Sequence, residues 1–81
     1  MKYKTQGVCS SLIDIEMDGN IIKSVKFTGG CNGNLQGIGA LVKDMSAEEA
    51  IKRLKGIRCG FKNTSCPDQL AKALESMTAN N

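Results

Sequence analysis

The sequence predicts an α+β fold: a small antiparallel sheet of about three strands, followed by three helices packed on one face of the sheet. Alternating apolar and polar residues, typical of strands, occur before residue 29, and apolar residues at helical spacing follow it. An Asp-Gly-Asn turn signal at 18–20 separates two of the strands. Strands that precede helices are typical of α+β proteins. The length of 81 residues fits one domain, 1–81.

The strands are predicted at 1–6, 10–17 and 21–28, the first of them at an edge of the sheet. The apolar positions of the two longer strands share one face and are Ile13, Ile15, Met17, Ile21, Val25 and Phe27. Lys23 interrupts this face, and Ile22 is an apolar residue on the opposite face.

The register of the hairpin follows from these positions, because residues that pair across two strands share a face. A three-residue loop at 18–20 would pair Met17 with Ile21, Ile15 with Lys23, and Ile13 with Val25. Extended outward, this register sets Cys9 near Gly29, with Cys31 just beyond. We therefore expect Cys9 and Cys31 to meet at the open end of the hairpin, on the core side.

The first helix is predicted from the glycine-rich run at 29–34 through Lys43. Its apolar stripe comprises Leu35, Ile38, Leu41 and Val42. Gly37 and Gly39 lower the helix propensity by about 1 kcal/mol each relative to alanine. We expect these glycines to allow close packing against the sheet.

The second helix has clear start and stop signals. Ser46 and Glu49 form a capping box, and Met45 and Ala50 occupy the positions of a hydrophobic staple. Gly56 stands where a C-terminal glycine cap is expected. The predicted buried stripe comprises Ala47, Ala50, Ile51 and Leu54.

The third helix is predicted from Pro67 to about Met77 and opens with the pentapeptide Thr-Ser-Cys-Pro-Asp at 64–68. Proline suits the first helical position, so Cys66 is predicted to be the N-cap. A thiol at the positive end of a helix dipole is a readier metal ligand or nucleophile than a buried thiol. The buried residues are predicted to be Leu70, Ala73, Leu74 and Met77.

The composition excludes several classes of function. The chain has no histidine, which excludes acid–base catalysis by histidine and zinc sites that need imidazole. The net charge is +3 with two Phe, one Tyr and no Trp, so we expect no binding to nucleic acid. No apolar run suits a signal peptide or a membrane span. We therefore expect a cytoplasmic protein without membrane contact, where clustered cysteines bind metal or do redox chemistry.

The four cysteines are the candidate metal ligands: Cys9, Cys31, Cys59 and Cys66. Cys59 lies in a connector or short strand at 57–63. No pair has the C-x₂-C spacing of a zinc knuckle, so the prediction depends on their placement at the ends of elements. The alternatives are a catalytic or regulatory dithiol and independent small buried residues.

The pentapeptide at 64–68 resembles the signature of the TSCPD-domain family, which is named for it. The Gly-Gly-Cys-Asn-Gly-Asn run at 29–34 and Gly37-Ile38 match the family's other conspicuous segment. The chain resembles the small stand-alone members of the family, and related segments end vitamin B12-dependent ribonucleotide reductases. This resemblance implies an association with ribonucleotide reductase. A chain of 81 residues has no room for a reductase barrel, so we expect no reductase activity from it alone.

A weaker resemblance is to iron–sulfur cluster assembly scaffolds of the NifU N-terminal type. Gly-Cys-Asn-Gly at 30–33, Ser-Ala-Glu-Glu-Ala at 46–50 and Cys66 are similar to them in order and spacing. This resemblance implies Cys31 and Cys66 as ligands. Ser65 stands where those scaffolds carry histidine, and Cys59 has no secure counterpart in them.

The sequence thus favours a small domain that binds zinc, or with less support an iron–sulfur cluster, through its cysteines. The alternative is an accessory or redox module of ribonucleotide reductase that uses Cys59 and Cys66 as a dithiol or binds a nucleotide. A plain interaction domain with buried cysteines is a third hypothesis. Ribonucleotide reductase, an iron–sulfur assembly protein, or a second copy of the chain in a homodimer are the partners that these hypotheses imply.

Overall fold

A computed structural model of the chain describes residues 2–8, 10–30 and 32–78, except for the side chain of Asn32. Within these residues the elements are β1 (Lys2–Lys4), β2 (Ser10–Asp18), β3 (Ile21–Gly29), α1 (Asn32–Val42), α2 (Ala47–Leu54) and α3 (Cys66–Thr78). The strands form an antiparallel sheet in the order β1-β2-β3. The predicted α+β fold, with a three-stranded sheet followed by three helices, is confirmed.

The turn between β2 and β3 is tighter than predicted. Asp18 pairs with Ile21, so the loop has two residues, and Gly19 adopts the positive φ of +61° that such a turn requires. Further along, Ile15 pairs with Val25 and Ile13 pairs with Phe27. The predicted pairs Met17–Ile21, Ile15–Lys23 and Ile13–Val25 are therefore wrong.

The shorter turn and a β-bulge at Lys23 together explain this error. Glu16 pairs with Ser24 but Met17 pairs with Ile22, which leaves Lys23 as the extra residue of β3. The extra residue reverses the alternation, so that Ile22 is fully buried while Lys23 is exposed. The break in the sequence pattern at 22–23 is therefore a bulge. It turns the side chain of Ile22 into the core, although regular alternation would place Ile22 on the opposite face.

The core lies between the sheet and the helices, and α2 and α3 also pack against each other. Its buried residues are Ile13, Ile15, Ile22, Val42, Ala47, Ala50, Leu70, Ala73 and Leu74. Met77 is partly buried against this cluster, so the predicted stripe of α3 is confirmed. The segment 44–46 runs beside the start of β3: the N–H of Ile22 donates to the carbonyl of Met45 at 2.9 Å.

Helix α1 packs on β3 along Leu35, Ile38, Gly39 and Val42. A Cβ atom on Gly39 would lie 2.7 Å from the carbonyl oxygen of Val25, so this glycine permits the close packing that was predicted. Leu41 is 77% exposed, and its place in the predicted buried stripe is wrong. With about 100° between successive residues, Leu41 points well away from the side that carries Gly39 and Val42.

The signals at the ends of α2 are confirmed. The Ser46 hydroxyl accepts a hydrogen bond from the N–H of Glu49 at 3.2 Å, as a capping residue does. Gly56 has a φ of +88° just beyond the C-cap residue Lys55. The Lys55 ammonium donates to Glu75 of α3 at 2.9 Å, and this hydrogen bond and the carboxylate charge raise the pKa of Lys55.

In the described part of the chain, no helix has both the length and the apolar character that crossing a bilayer requires.

Candidate thiol site at the start of the third helix

Ser65, and not Cys66, caps helix α3. The Ser65 hydroxyl accepts a hydrogen bond from the N–H of Asp68 at 3.1 Å, and the Ser65 carbonyl accepts one from the N–H of Gln69 at 2.8 Å. Cys66 is therefore the first helical residue and Pro67 the second. The predicted position of Cys66 is wrong by one residue, because serine is the better cap and proline is tolerated in a first turn whose N–H groups have no helical partner.

The carboxylate of Asp68 joins the start of α3 to the end of α2. The side chain is 5% exposed, and its carboxylate accepts hydrogen bonds from the Gly56 N–H at 2.7 Å and from the Thr64 hydroxyl. The Lys72 ammonium lies 3.5 Å from it. Burial raises the pKa of this carboxyl, but the donors from Thr64, Gly56 and Lys72 outweigh burial and hold the pKa below its usual range.

The side chain of Gln69 ties the segment that follows β1 to the start of α3. Its amide donates to the Thr64 hydroxyl at 2.9 Å, and its carbonyl oxygen accepts from the N–H of Gln6 at 3.1 Å. Gly7 has a φ of +73°, and a Cβ atom on it would lie 3.4 Å from the Thr64 methyl group. The Gln69 side chain thus links the segment 5–8 to Thr64 of the pentapeptide.

The polar side chains of the pentapeptide therefore have a structural role. The Ser65 hydroxyl also donates to the carbonyl of Ile57 at 2.6 Å, so the three side chains of Thr64, Ser65 and Asp68 fix the loop and the helix start together. Within the residues that the structure describes, every buried side-chain nitrogen and oxygen has a hydrogen-bond partner. This network positions the thiol of Cys66.

Cys66 is 7% exposed, and its sulfur lies 3.1 Å from the hydroxyl oxygen of Ser10. Ser10 faces the core because of a second bulge: Ser10 pairs with Gly29 while Leu12 pairs with Thr28. As a result Ser10 is 2% exposed, whereas Ser11 is exposed. Without this extra residue, alternation from Ile13 would turn Ser11 inward and Ser10 outward.

The cysteines predicted as ligands differ in their placement. Cys66 is buried, whereas Cys59 is exposed in the loop 57–63, where its N–H donates to the carbonyl of Thr64 at 3.2 Å. This segment is a connector and not a strand. Cys9 and Cys31 lie outside the described residues. Among the residues that are described, no three cysteine or carboxylate side chains form a group that could hold a metal ion.

The convergence of Cys9 and Cys31 therefore stays a prediction, although its register needs correction. Gly29 pairs with Ser10 and not with Cys9, because the turn has two residues instead of three and the two bulges, one on each strand, offset each other. Ser10 directly follows Cys9, and Gly29 lies two residues before Cys31. Both segments thus approach the same end of the hairpin.

Sequence reasoning did not identify Ser10 or Gln69 as parts of this site. The pair of serines at 10–11 at the start of an alternating strand is a weak signal of irregularity, since one of the two must break the pattern. Gln69 gives no signal, because its partners Gln6 and Thr64 come from distant parts of the chain.

The fold and this site define a small α+β domain in which a polar network holds a buried cysteine at the start of the last helix. The chain belongs to the TSCPD domain family, whose model matches residues 1–78. No curated protein and no solved structure matches the chain. The similarity to NifU-type scaffolds receives no support from these comparisons.

Proposed function

We propose that this protein is a small cytoplasmic metal-binding domain that holds zinc, or as the alternative an iron–sulfur cluster, on cysteine thiolates. Cys66 is the central ligand. Cys9 and Cys31 supply two further thiolates, and Cys59 supplies the fourth. Thiolates suit both zinc and iron–sulfur clusters, and a set of four completes a tetrahedral zinc site.

The observation that carries this proposal is the 3.1 Å distance between the sulfur of Cys66 and the hydroxyl oxygen of Ser10. Cys9 directly precedes Ser10 in the sequence, and consecutive Cα atoms are about 3.8 Å apart. Cys9 is therefore the chain neighbour of the residue that contacts the Cys66 thiol. Gly29, which pairs with Ser10, lies two residues before Cys31. Cys9, Cys31 and Cys66 therefore belong to three chain segments that approach one another near the contact between Ser10 and Cys66.

The surroundings of Cys66 suit a thiolate ligand. The positive end of α3 favours negative charge at its first residue, and the Ser10 hydroxyl lies where it can donate to the sulfur. Such a donor orients a ligand from outside the coordination sphere. The Asp68 carboxylate is occupied by Gly56, Thr64 and Lys72, so it does not compete with the thiolates.

Cys59 differs from Cys66 in that its side chain is exposed. As a ligand it would close the site from the solvent side. Its loop is tied by the hydrogen bond from its N–H to the Thr64 carbonyl, two residues before Cys66. When bound, the metal would supply folding free energy and a fixed geometry for these thiolates.

The test is the content of zinc, iron and inorganic sulfide per chain after anaerobic purification. We expect stoichiometric metal in the wild type and its loss in Cys66→Ser. Ser10→Ala is the matched control, because it removes the contact to the sulfur but keeps all four thiols, and we expect it to retain the metal. Circular dichroism of each variant shows whether the domain is folded.

A folded wild type without metal and with four reactive thiols would contradict the proposal. It would favour the alternative of an accessory or redox module linked to ribonucleotide reductase. Retained metal in Cys66→Ser would exclude Cys66 as a ligand, and the proposal would then be wrong at its centre.

A further inference from the structure

The loop 57–63 places an aromatic side chain entirely in solvent. The relative exposure of Phe61 is 110%, and Ile57 at the start of the loop is 42% exposed. The chain has two Phe, one Tyr and no Trp, so one of its three aromatic side chains contributes nothing to the core. Aromatic side chains bury large apolar areas, so a small core loses much of its stabilisation when one of them lies in solvent.

This loop is held in shape by hydrogen bonds. The N–H of Lys62 donates to the carbonyl of Cys59 at 3.0 Å, and the N–H of Cys59 donates to the carbonyl of Thr64 at 3.2 Å. Gly60 has a φ of +59°, which closes the turn just before Phe61. The Ser65 hydroxyl holds the carbonyl of Ile57 at 2.6 Å. The network around Asp68 thus fixes the base of a loop that presents Phe61.

The charge around Phe61 has one sign. Arg58 and Lys62 flank it and are exposed, and neither forms an ion pair with an acidic residue in the described part of the chain. From residue 50 to residue 67 the sequence has five basic residues and no acidic residue. The nearest carboxylate along the chain, Asp68, is buried and already bonded.

We propose that the loop 57–63 is a docking element for a protein partner that has an apolar pocket with an acidic rim. Phe61 enters the pocket, and Arg58 and Lys62 pair with carboxylates at its edge. Aromatic residues and arginine dominate the binding energy of protein interfaces, and a preformed loop pays little ordering entropy on binding. The proposed contacts involve no thiol, although Cys59, the proposed fourth metal ligand, lies in the same loop.

The loop suits a protein partner better than a nucleic acid or a membrane. Binding to single-stranded nucleic acid uses a basic groove and several stacking residues, and this loop has one aromatic ring. Binding to anionic membranes uses clusters of four to eight basic residues or an amphipathic helix. Of the five basic residues between 50 and 67, Arg53 and Lys55 pair with Glu49 and Glu75, which leaves fewer than four for a membrane surface. Two cations around one phenyl ring fit a single pocket.

The test begins with a photoreactive p-benzoyl-phenylalanine placed at position 61, and at position 41 as a control, in the cells that produce the protein. Leu41 is also a large exposed apolar residue, 77% exposed, but it lies on α1. We expect a protein adduct at position 61 only. The cross-linked protein is then purified, and its affinity is measured by titration against wild type, Phe61→Ala, Leu41→Ala and Arg58→Glu/Lys62→Glu.

We expect Phe61→Ala to weaken binding at least about tenfold, and Leu41→Ala to change it less than about twofold. The double charge reversal should slow association, with the largest effect at low salt. Because Phe61 contacts no core residue, the unfolding midpoint of Phe61→Ala should equal that of the wild type. The absence of a protein adduct, an adduct to lipid or nucleic acid, or an affinity unchanged in Phe61→Ala would each overturn the proposal.

Discussion

Asp68 combines burial with a full set of donors. The Gly56 N–H, the Thr64 hydroxyl and the Lys72 ammonium all point to its carboxylate, and the side chain is 5% exposed. A buried charge is costly unless such partners satisfy it. Its two oxygens join Gly56 after α2, Thr64 before α3, and Lys72 on α3. At the scale of single residues, Asp68 is therefore the center on which the geometry around Cys66 depends.

Asp68→Asn should destabilise the domain by about 1–3 kcal/mol, because the new amide group must face either the Gly56 N–H or the Thr64 hydroxyl and leave a donor unpaired. Urea unfolding measures this change. Asp44→Asn is the matched control: its carboxylate is 65% exposed and pairs with Lys23 at 3.3 Å, so the change should be below about 0.5 kcal/mol. Equal stability of the two variants would contradict a structural role for Asp68.

At the scale of elements, two bulges decide which side chains face inward. The bulge at Lys23 buries Ile22, and the bulge at Ser11 brings Ser10 to the Cys66 thiol. Helix α1 rests on β3 so closely that Gly39 faces the Val25 carbonyl. The sheet therefore determines both the core and the surroundings of the thiol.

The two glycines of α1 should respond in opposite ways to substitution by alanine. Gly39→Ala places a Cβ atom 2.7 Å from the Val25 carbonyl oxygen, and the overpacking should destabilise the domain by about 1–3 kcal/mol. Gly37→Ala meets no atom within 4 Å and should stabilise it by about 0.5–1 kcal/mol through helix propensity. Thermal unfolding compares the two; shifts of the same sign would show that α1 does not lie this close to β3.

These contacts also explain how far the sequence could predict the fold. The order of elements, the Ser46 cap and the Gly56 stop depend on local signals and are confirmed. The hairpin register was wrong, because alternation alone cannot tell whether the irregularity at Ile22 and Lys23 is a mismatch or a bulge. That choice depends on a distant segment, whose Met45 carbonyl pairs with Ile22.

The candidate site was predictable in part for the same reason. The unusual sequence at 64–68 indicated Cys66. Its contact with Ser10 could not be predicted, because it depends on the second bulge and joins residues 56 positions apart in the sequence. The exposure of Cys59 could not be read from the sequence either. No apolar periodicity marks the loop 57–63, so neither side of it was predicted to face the core.

At the scale of the whole molecule, the hydrophobic core is too small to supply much folding free energy. Its fully buried large side chains are Ile13, Ile15, Ile22, Leu70 and Leu74, and three of the other four residues of the core cluster are alanines. A core in a chain of this size supplies only about 3–5 kcal/mol. A structural metal on the cysteines would add to this, since zinc binding in small domains supplies folding free energy on the order of 10 kcal/mol.

The proposed metal site therefore predicts how the whole domain responds to a chelator. If the metal is structural, its removal by a high-affinity chelator such as EDTA under reducing conditions should unfold the domain. Addition of equimolar zinc should then restore the folded state. Far-ultraviolet circular dichroism and the thermal midpoint measure both steps, with Cys66→Ser as the variant that should not respond. If the wild type loses its metal but keeps its midpoint, the metal is not structural, because a ligand that binds only the folded state raises the midpoint. The core of five large side chains would then be sufficient by itself.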